Sequence, residues 1–514
     1  MKKKKETIAK GIIALLFSQV LIKVIGLAYK IYLTNKEGFG DAGNAIYSAG
    51  FQIYALLLTF SSTGVPNAVA KLVAERLAVG DNKGAHNIFK ISFFIFAFFG
   101  IIGTFLLFLL ARPISVNFLG IPEAEYSLIT LSPSIFFVAI TSVIRGYFNG
   151  RQNLTVAAKS QTIEQIFKTI FTIVFVELVA RETKNNTTLM AGIANLATTV
   201  ATIFSFSYIF TYYRTKRLEI AVEISKSVNY VPTRIRKTLK KILKESIPIS
   251  LSSLMSSFGK NIDLFTVVKI LKRFMSENEA KAQYGILSGK IDTLCILPLA
   301  LNVPFVTGMV PTISKAIATG EKKQVELKVE FFLKVSILIA LPSTFGLIIF
   351  SKEILSLLFP NANSGALLLQ INAISVLFAM LSQTINGILQ GMGKSNVPLI
   401  AFSIGIIFKF FTNIILISNQ IIGIKGAVIG NIICNSIVFI IGIVSLKKNI
   451  DFKFNKINLF IKPIFATMVM CIFCLVTKYF FKDYLTEKIN RMLLILTGTS
   501  VYLVSVVALK IIKK

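Results

Sequence analysis

The chain has 514 residues, 54% of them hydrophobic, and its 56 lysines and arginines against 24 acidic residues give a formal net charge of +32. A mean hydropathy of +0.72 excludes a soluble domain of this size. Apolar runs of roughly 20 residues, long enough to cross a ~30 Å hydrocarbon core, recur along the length without period-two alternation, which also excludes a transmembrane β-barrel. The basic excess reads as loops holding the cytoplasmic side of a membrane protein, not as a nucleic-acid surface. The expected fold class is an all-α polytopic membrane protein.

Met1 to Lys5 followed by an apolar run looks like a secretory signal, but the run continues past Lys23 to Leu33 without a small-residue cleavage site. It reads as a first membrane helix with a cytoplasmic N-terminus. The first six expected spans are 8–33, 45–70, 88–110, 126–150, 158–179 and 189–213. The next six are 246–270, 284–313, 329–350, 366–391, 397–417 and 421–446, and a last pair covers 460–480 and 492–509. About fourteen transmembrane helices follow from this pattern. The expected domains are an N-terminal six-helix lobe (1–213), a basic cytoplasmic connector (214–245), a C-terminal six-helix lobe (246–446) and two additional helices (447–514). The basic clusters Lys2–Lys5, 214–244, Lys322-Lys323, Lys447-Lys448 and Lys513-Lys514 fall on one side, while 269–281 and 478–491 depart from the rule. Both termini are then cytoplasmic.

The two lobes read as copies of one unit. Residues 145–168, RGYFNGRQNLTVAAKSQTIEQIFK, are echoed by 386–409, NGILQGMGKSNVPLIAFSIGIIFK. A shift of 241 puts Gly146 on Gly387, Gly150 on Gly391 and Lys168 on Lys409; a shift of 240 pairs Gly80-Asp81 with Gly320-Glu321. An even number of helices per copy gives both the same orientation, and hence a pseudo-two-fold along the membrane normal with any cavity between them.

An ionisable side chain at mid-bilayer depth costs about 2.5–3.5 kcal/mol, so it faces a cavity or a partner. On the first helix Gln19, Lys23, Gly26 and Lys30 form one stripe, and on the seventh Ser253, Ser256, Lys260 and Asp263 form another. On the fifth, Gln161, Glu164, Lys168 and Thr172 share a face, with Glu164 and Lys168 spaced to pair. Lys409 and Asn413 lie one turn apart on the eleventh, and the tenth offers Gln383, Asn386 and Gln390. The candidate substrate-binding residues are Lys23, Lys30, Arg145, Lys168, Lys260, Asp263 and Lys409. A cavity lined by Lys23 and Lys260 suits an anionic headgroup, a diphosphate more than a single carboxylate. Lys30, Arg145 and Lys409 have a second reading, snorkelling to the interface. Glu164 with Lys168 has one as a structural pair, and Asp263 one as the neutraliser of Lys260. Pro66, Pro248 and Pro311 are candidate hinges, against ordinary proline tolerance in packed membrane helices.

Catalysis has little to stand on. There is no P-loop, no Ser-His-Asp set and no metal-ligand cluster; the single histidine, His86, reads as part of a basic loop. Cys471 and Cys474 sit in an apolar run and read as lipid- or core-facing thiols. No enzyme activity, cofactor or metal is expected. An ion gradient or the membrane potential is the economical energy source.

These residues resemble a family. KGIIALLFSQVLIKVIGLAYKIYL at the start, RGYFNGRQN with the following QTIEQIFK, NIDLF at 261–265 and LQGMGK at 389–394 resemble the multidrug/oligosaccharidyl-lipid/polysaccharide (MOP) flippase superfamily, most closely its stage V sporulation protein B and lipid II flippase branch. The likeness runs over essentially the whole chain. It implies two six-helix lobes opening alternately to either side, an undecaprenyl-diphosphate-linked saccharide as substrate and partner, contact with membrane lipids, and a tail groove formed by the last two helices. It implies a monomer in the cytoplasmic membrane of a bacterium. Lys23 matches one of the basic cavity positions of the branch's first helix; a second such position is Tyr29 here, with Lys30 beside it. A cation-coupled multidrug antiporter and a non-transporting scaffold for cell-wall synthesis are the competing readings.

Overall fold

Long apolar runs with few internal breakers dictate helices, and the described residues are mostly helical. The computed structural model describes all residues except 1, 60–64, 228–229, 231–239, 241–250, 252–253, 256–257, 260, 319–321, 395, 451–456, 481–486 and 510–514. Among the described residues there is no strand, and nine helices are long and apolar enough to cross a membrane. The chain divides into two units, Met1–Lys269 with Glu277–Gly285, and Ile270–Ser276 with Ile286–Lys514.

The N-terminal unit contains α1 (Lys2–Asn35), α2 (Gly40–Thr59), α3 (Val65–Ala78), α4 (Asn82–Pro113), α5 (Ala124–Gly150), α6 (Leu154–Glu182), α7 (Thr187–Thr215), α8 (Arg217–Ser225) and α9 (Glu277–Gly285). The expected span 45–70 falls on α2 and on α3, with residues 60–64 outside the described residues, and Pro66 lies within α3. Asp81 caps α4 by accepting from the Gly84 N–H at 2.7 Å, and is itself held by Arg76 at 2.9 Å. Asn186 caps α7 through the Leu189 N–H at 3.1 Å. α5 is the central helix, packed against α2, α3, α4 and α7, while α1 packs along α6. α4 turns Phe94, Phe98, Phe105 and Leu109 outward, the face a hydrocarbon solvent would meet.

His86 is not in a loop. It lies in α4, buried against the rings of Phe89 and Tyr147. The first part of the basic connector is helical too. α8 is tied back by Arg151 to Glu223 at 2.5 Å and by the Asn82 amide donating to the Glu223 carbonyl at 3.0 Å.

The C-terminal unit contains α10 (Asp292–Ala318), α11 (Lys322–Ile349), α12 (Ser351–Leu358), α13 (Ala366–Gly391), α14 (Asn396–Ile417), α15 (Lys425–Asn449), α16 (Lys462–Phe480) and α17 (Glu487–Ala508). Here α13 is central, packed against α10, α11 and α15. α16 and α17 pair with each other and close on α11 through Leu338, Ala466, Met470, Cys474, Leu494 and Tyr502. The Tyr502 hydroxyl donates to the Leu338 carbonyl at 2.7 Å. Cys474 is thus a core thiol.

The glycines of the repeat explain its spacing. A Cβ at Gly146 would lie 2.7 Å from the Pro66 carbonyl oxygen, and one at Gly150 equally close to that of Ala70. A Cβ at Gly387 would lie 2.6 Å from Met309 Cε. In both units the central helix approaches a neighbour at the distance only glycine permits.

Candidate functional site: buried cations among the helices

In the N-terminal unit, α6 carries Ser160, Glu164, Lys168 and Thr172 at intervals of four, one face of one helix. That face forms a polar seam. Arg145 of α5 reaches across it: Nη2 donates to Glu164 Oε2 at 2.8 Å, Ser160 Oγ at 3.0 Å and Ser205 Oγ at 2.9 Å. The two serine hydroxyls lie 2.9 Å apart. Arg145 is buried, so it does not snorkel. Glu164 pairs with Arg145, not with Lys168 as its spacing suggests: the guanidinium reaches the carboxylate and two serine hydroxyls at once from across the interface.

One turn beyond Glu164, Lys168 sits in an aromatic cage. Its ammonium lies 4.0 Å from the ring centre of Phe51, 5.2 Å from Tyr29 and 6.0 Å from Tyr47. Lys30 of α1 stands over the same Tyr47 ring at 4.4 Å, with Asn44 Oδ1 at 3.5 Å and Ser48 Oγ at 3.4 Å. Lys30 is 8% exposed and Lys168 6%, so neither snorkels. Among the described residues no carboxylate lies within ion-pair reach of either. Ring quadrupoles take the place of counter-charges, worth ~2 kcal/mol for a desolvated cation.

The other candidates are dispersed. Lys23 is half-buried on α1. Gly26 of the same stripe lies against Gln165 of α6. Asp263 is buried in the helical stretch 261–271, while Lys260 and Pro248 lie outside the described residues. Lys409 is 1% exposed on α14, which removes the snorkelling reading, and Asn413 one turn on is buried with it. Gly430 of α15 makes the room, since a Cβ there would lie 3.2 Å from Lys409 Cγ. The backbone of α10 is helical through Pro311. On α13, Gln383 accepts from the Asn302 amide at 3.0 Å, Asn386 is buried and Gln390 is exposed.

Sequence reasoning passed over the second helix. Asn44, Tyr47, Ser48 and Phe51 recur at i, i+3, i+4 and i+7, a polar and aromatic stripe that marks the seam's other wall. Ser160 and Ser205 gave no signal, because single serines are common in membrane helices. Lys290, also passed over, is buried and donates to the Ala362 carbonyl at 2.7 Å and Ser364 Oγ at 3.1 Å, pinning the turn before α13.

Residues 8–317 match the family described as polysaccharide biosynthesis protein. The chain belongs to that family. Residues 248–415 also match the MatE family. Stage V sporulation protein B of Bacillus subtilis (strain 168) is 23% identical to this polysaccharide biosynthesis protein over 523 residues, covering 99% of this chain and 97% of its own. Among solved structures, lipid II flippase MurJ in an inward closed conformation superposes with a TM-score of 0.72 at 18% identity, over 96% of this chain and 98% of that one. An inward-facing multidrug resistance MATE family transporter of the MOP superfamily superposes with a TM-score of 0.70 at 17% identity, over 85% and 99%. The expected superfamily is therefore the right one: this is a multi-pass membrane transport protein of the MOP superfamily, not an enzyme.

Proposed function

We propose that this chain flips an undecaprenyl-diphosphate-linked saccharide, a lipid II-like precursor, across the cytoplasmic membrane by alternating access. The observation that carries the reading is the set of buried lysines, Lys30 and Lys168 in the N-terminal unit and Lys409 in the C-terminal one, inside a member of the polysaccharide biosynthesis protein family. Charges are kept at such depth where they serve an anionic cargo or its coupling. Lys23 and Lys260 are the contacts to the diphosphate, and Asp263 tempers the charge of Lys260. Arg145, already engaged by Glu164 and two serines, acts as a positioning residue. Pro66, Pro248 and Pro311 serve as hinge positions, and an ion gradient or the membrane potential drives the cycle. The protein works as a monomer with both termini in the cytoplasm.

The test is complementation of a strain depleted of its own lipid-linked saccharide flippase, paired with translocation in reconstituted vesicles. Lys23→Ala and Lys260→Ala each abolish both while the protein still reaches the membrane. Full activity of both variants would refute the role given to these lysines. A second reading, a cation-coupled multidrug antiporter, draws on the MatE match over 248–415; a broad rise in drug resistance on overexpression, without translocation of the lipid, would favour it.

A further inference from the structure

The seam of the N-terminal unit brings two buried lysines and two tyrosine hydroxyls together. Lys168 brings three N–H donors and is surrounded by rings. The two contacts of Lys30, at 3.5 and 3.4 Å, sit at the outer limit of a hydrogen bond. The hydroxyls of Tyr29 and Tyr47 face each other at 3.3 Å, with Thr198 beside Tyr47. Two carboxylates on these elements are engaged elsewhere, Glu164 by Arg145 and Glu177 by Lys36 and Tyr32. Two ammonium groups over one ring repel each other, and buried charge is kept only when compensated.

The geometry points to a binding site for a small monovalent anion, of the halide class, where Lys30 and Lys168 meet over Tyr47, with Tyr29 and Ser48 as further donors. Size follows from enclosure. Both lysines are more than nine-tenths buried among aromatic side chains, so the proposal is for a single small ion. This is a second anion site, apart from the headgroup contacts assigned above to Lys23 and Lys260, and it stands whether or not the cargo is a lipid-linked saccharide.

The experiment uses the purified full-length protein in detergent at constant ionic strength. Chloride-35 NMR should show excess line broadening that bromide competes away, and the melting temperature should be higher in chloride than in gluconate. Lys168→Met and Lys30→Met should abolish both effects, whereas Lys159→Met, an exposed lysine of the same helix, should keep them. Tyr47→Phe, which retains the ring, should weaken chloride about tenfold; it serves as the readout if a lysine variant cannot be recovered. Equal melting in chloride and gluconate with no excess broadening overturns the proposal, and so does binding that survives both lysine variants. Pyrophosphate displacing chloride at lower concentration than bromide would also overturn it, by assigning the pocket to the phosphates of a lipid headgroup.

Discussion

In the N-terminal unit Gly146 brings α5 onto the backbone of α3, and 241 positions later Gly387 brings α13 onto the side chains of α10. The same shift carries Lys168 to Lys409, buried in both. It also carries Arg145 to Asn386, Ser160 to Ala401, Glu164 to Gly405 and Ser205 to Leu446. Every member of the arginine network is thus replaced in the second unit by a smaller or less polar residue. Gly405 instead lets α14 approach the Cys434 carbonyl, 3.0 Å from where its Cβ would be, and Leu446 joins the apolar core. Helix packing is the part of the repeat that both units retain, because it fixes the fold. Charge is free to diverge, because each copy needs only one arrangement that satisfies its buried groups.

The largest effect is expected from breaking the ion pair of the first unit. Glu164→Ala leaves Arg145 buried with serines alone and should cost about 2–3 kcal/mol in a detergent melt. Arg145→Asn with Glu164→Ala, which moves the first unit toward the second, should cost less than Glu164→Ala by itself; a double variant worse than the single one would mean that the pair is not the source of the penalty. Next comes the glycine contact. Gly146→Ala pushes a methyl into a carbonyl of α3 and should cost about 1–3 kcal/mol. Gly387→Ala meets side chains, Met309 Cε and Val306 Cγ1, and should cost less than Gly146→Ala, about 1–2 kcal/mol, so equal losses at the two positions would erase the distinction drawn between backbone and side-chain contact. The smallest change is Tyr502→Phe, which removes one hydrogen bond confined to the second unit. It should lower stability by about 1 kcal/mol and leave melting of the first unit unchanged, as followed by a reporter on α5.

Much of this was legible in the residues. Apolar run length places most of the helices, and the constant offset exposes the repeat before any contact is known. The depth of Lys168 follows from its place within its run, whereas Lys30 and Lys409 kept a snorkelling reading until their burial removed it. What spacing could not supply was partner choice. Glu164 and Lys168 are one turn apart on one helix, yet the carboxylate goes to an arginine of another, because a guanidinium can satisfy several acceptors from across an interface. His86 was misplaced for the converse reason: polar neighbours in sequence hid an aromatic pocket assembled by Tyr147 and Phe89 from two helices.

The Tyr502 hydroxyl on the Leu338 carbonyl has an evolutionary corollary. The surface it fastens, Leu338 and Phe350 with the inner faces of α16 and α17, is apolar on both sides. In water, stripping off that pair would expose a sticky wound. In a bilayer the acyl chains would heal it, and the loss would amount to packing and one hydrogen bond. A terminal helical hairpin held in this way is a module that a lineage can acquire or discard without rebuilding what it leans on.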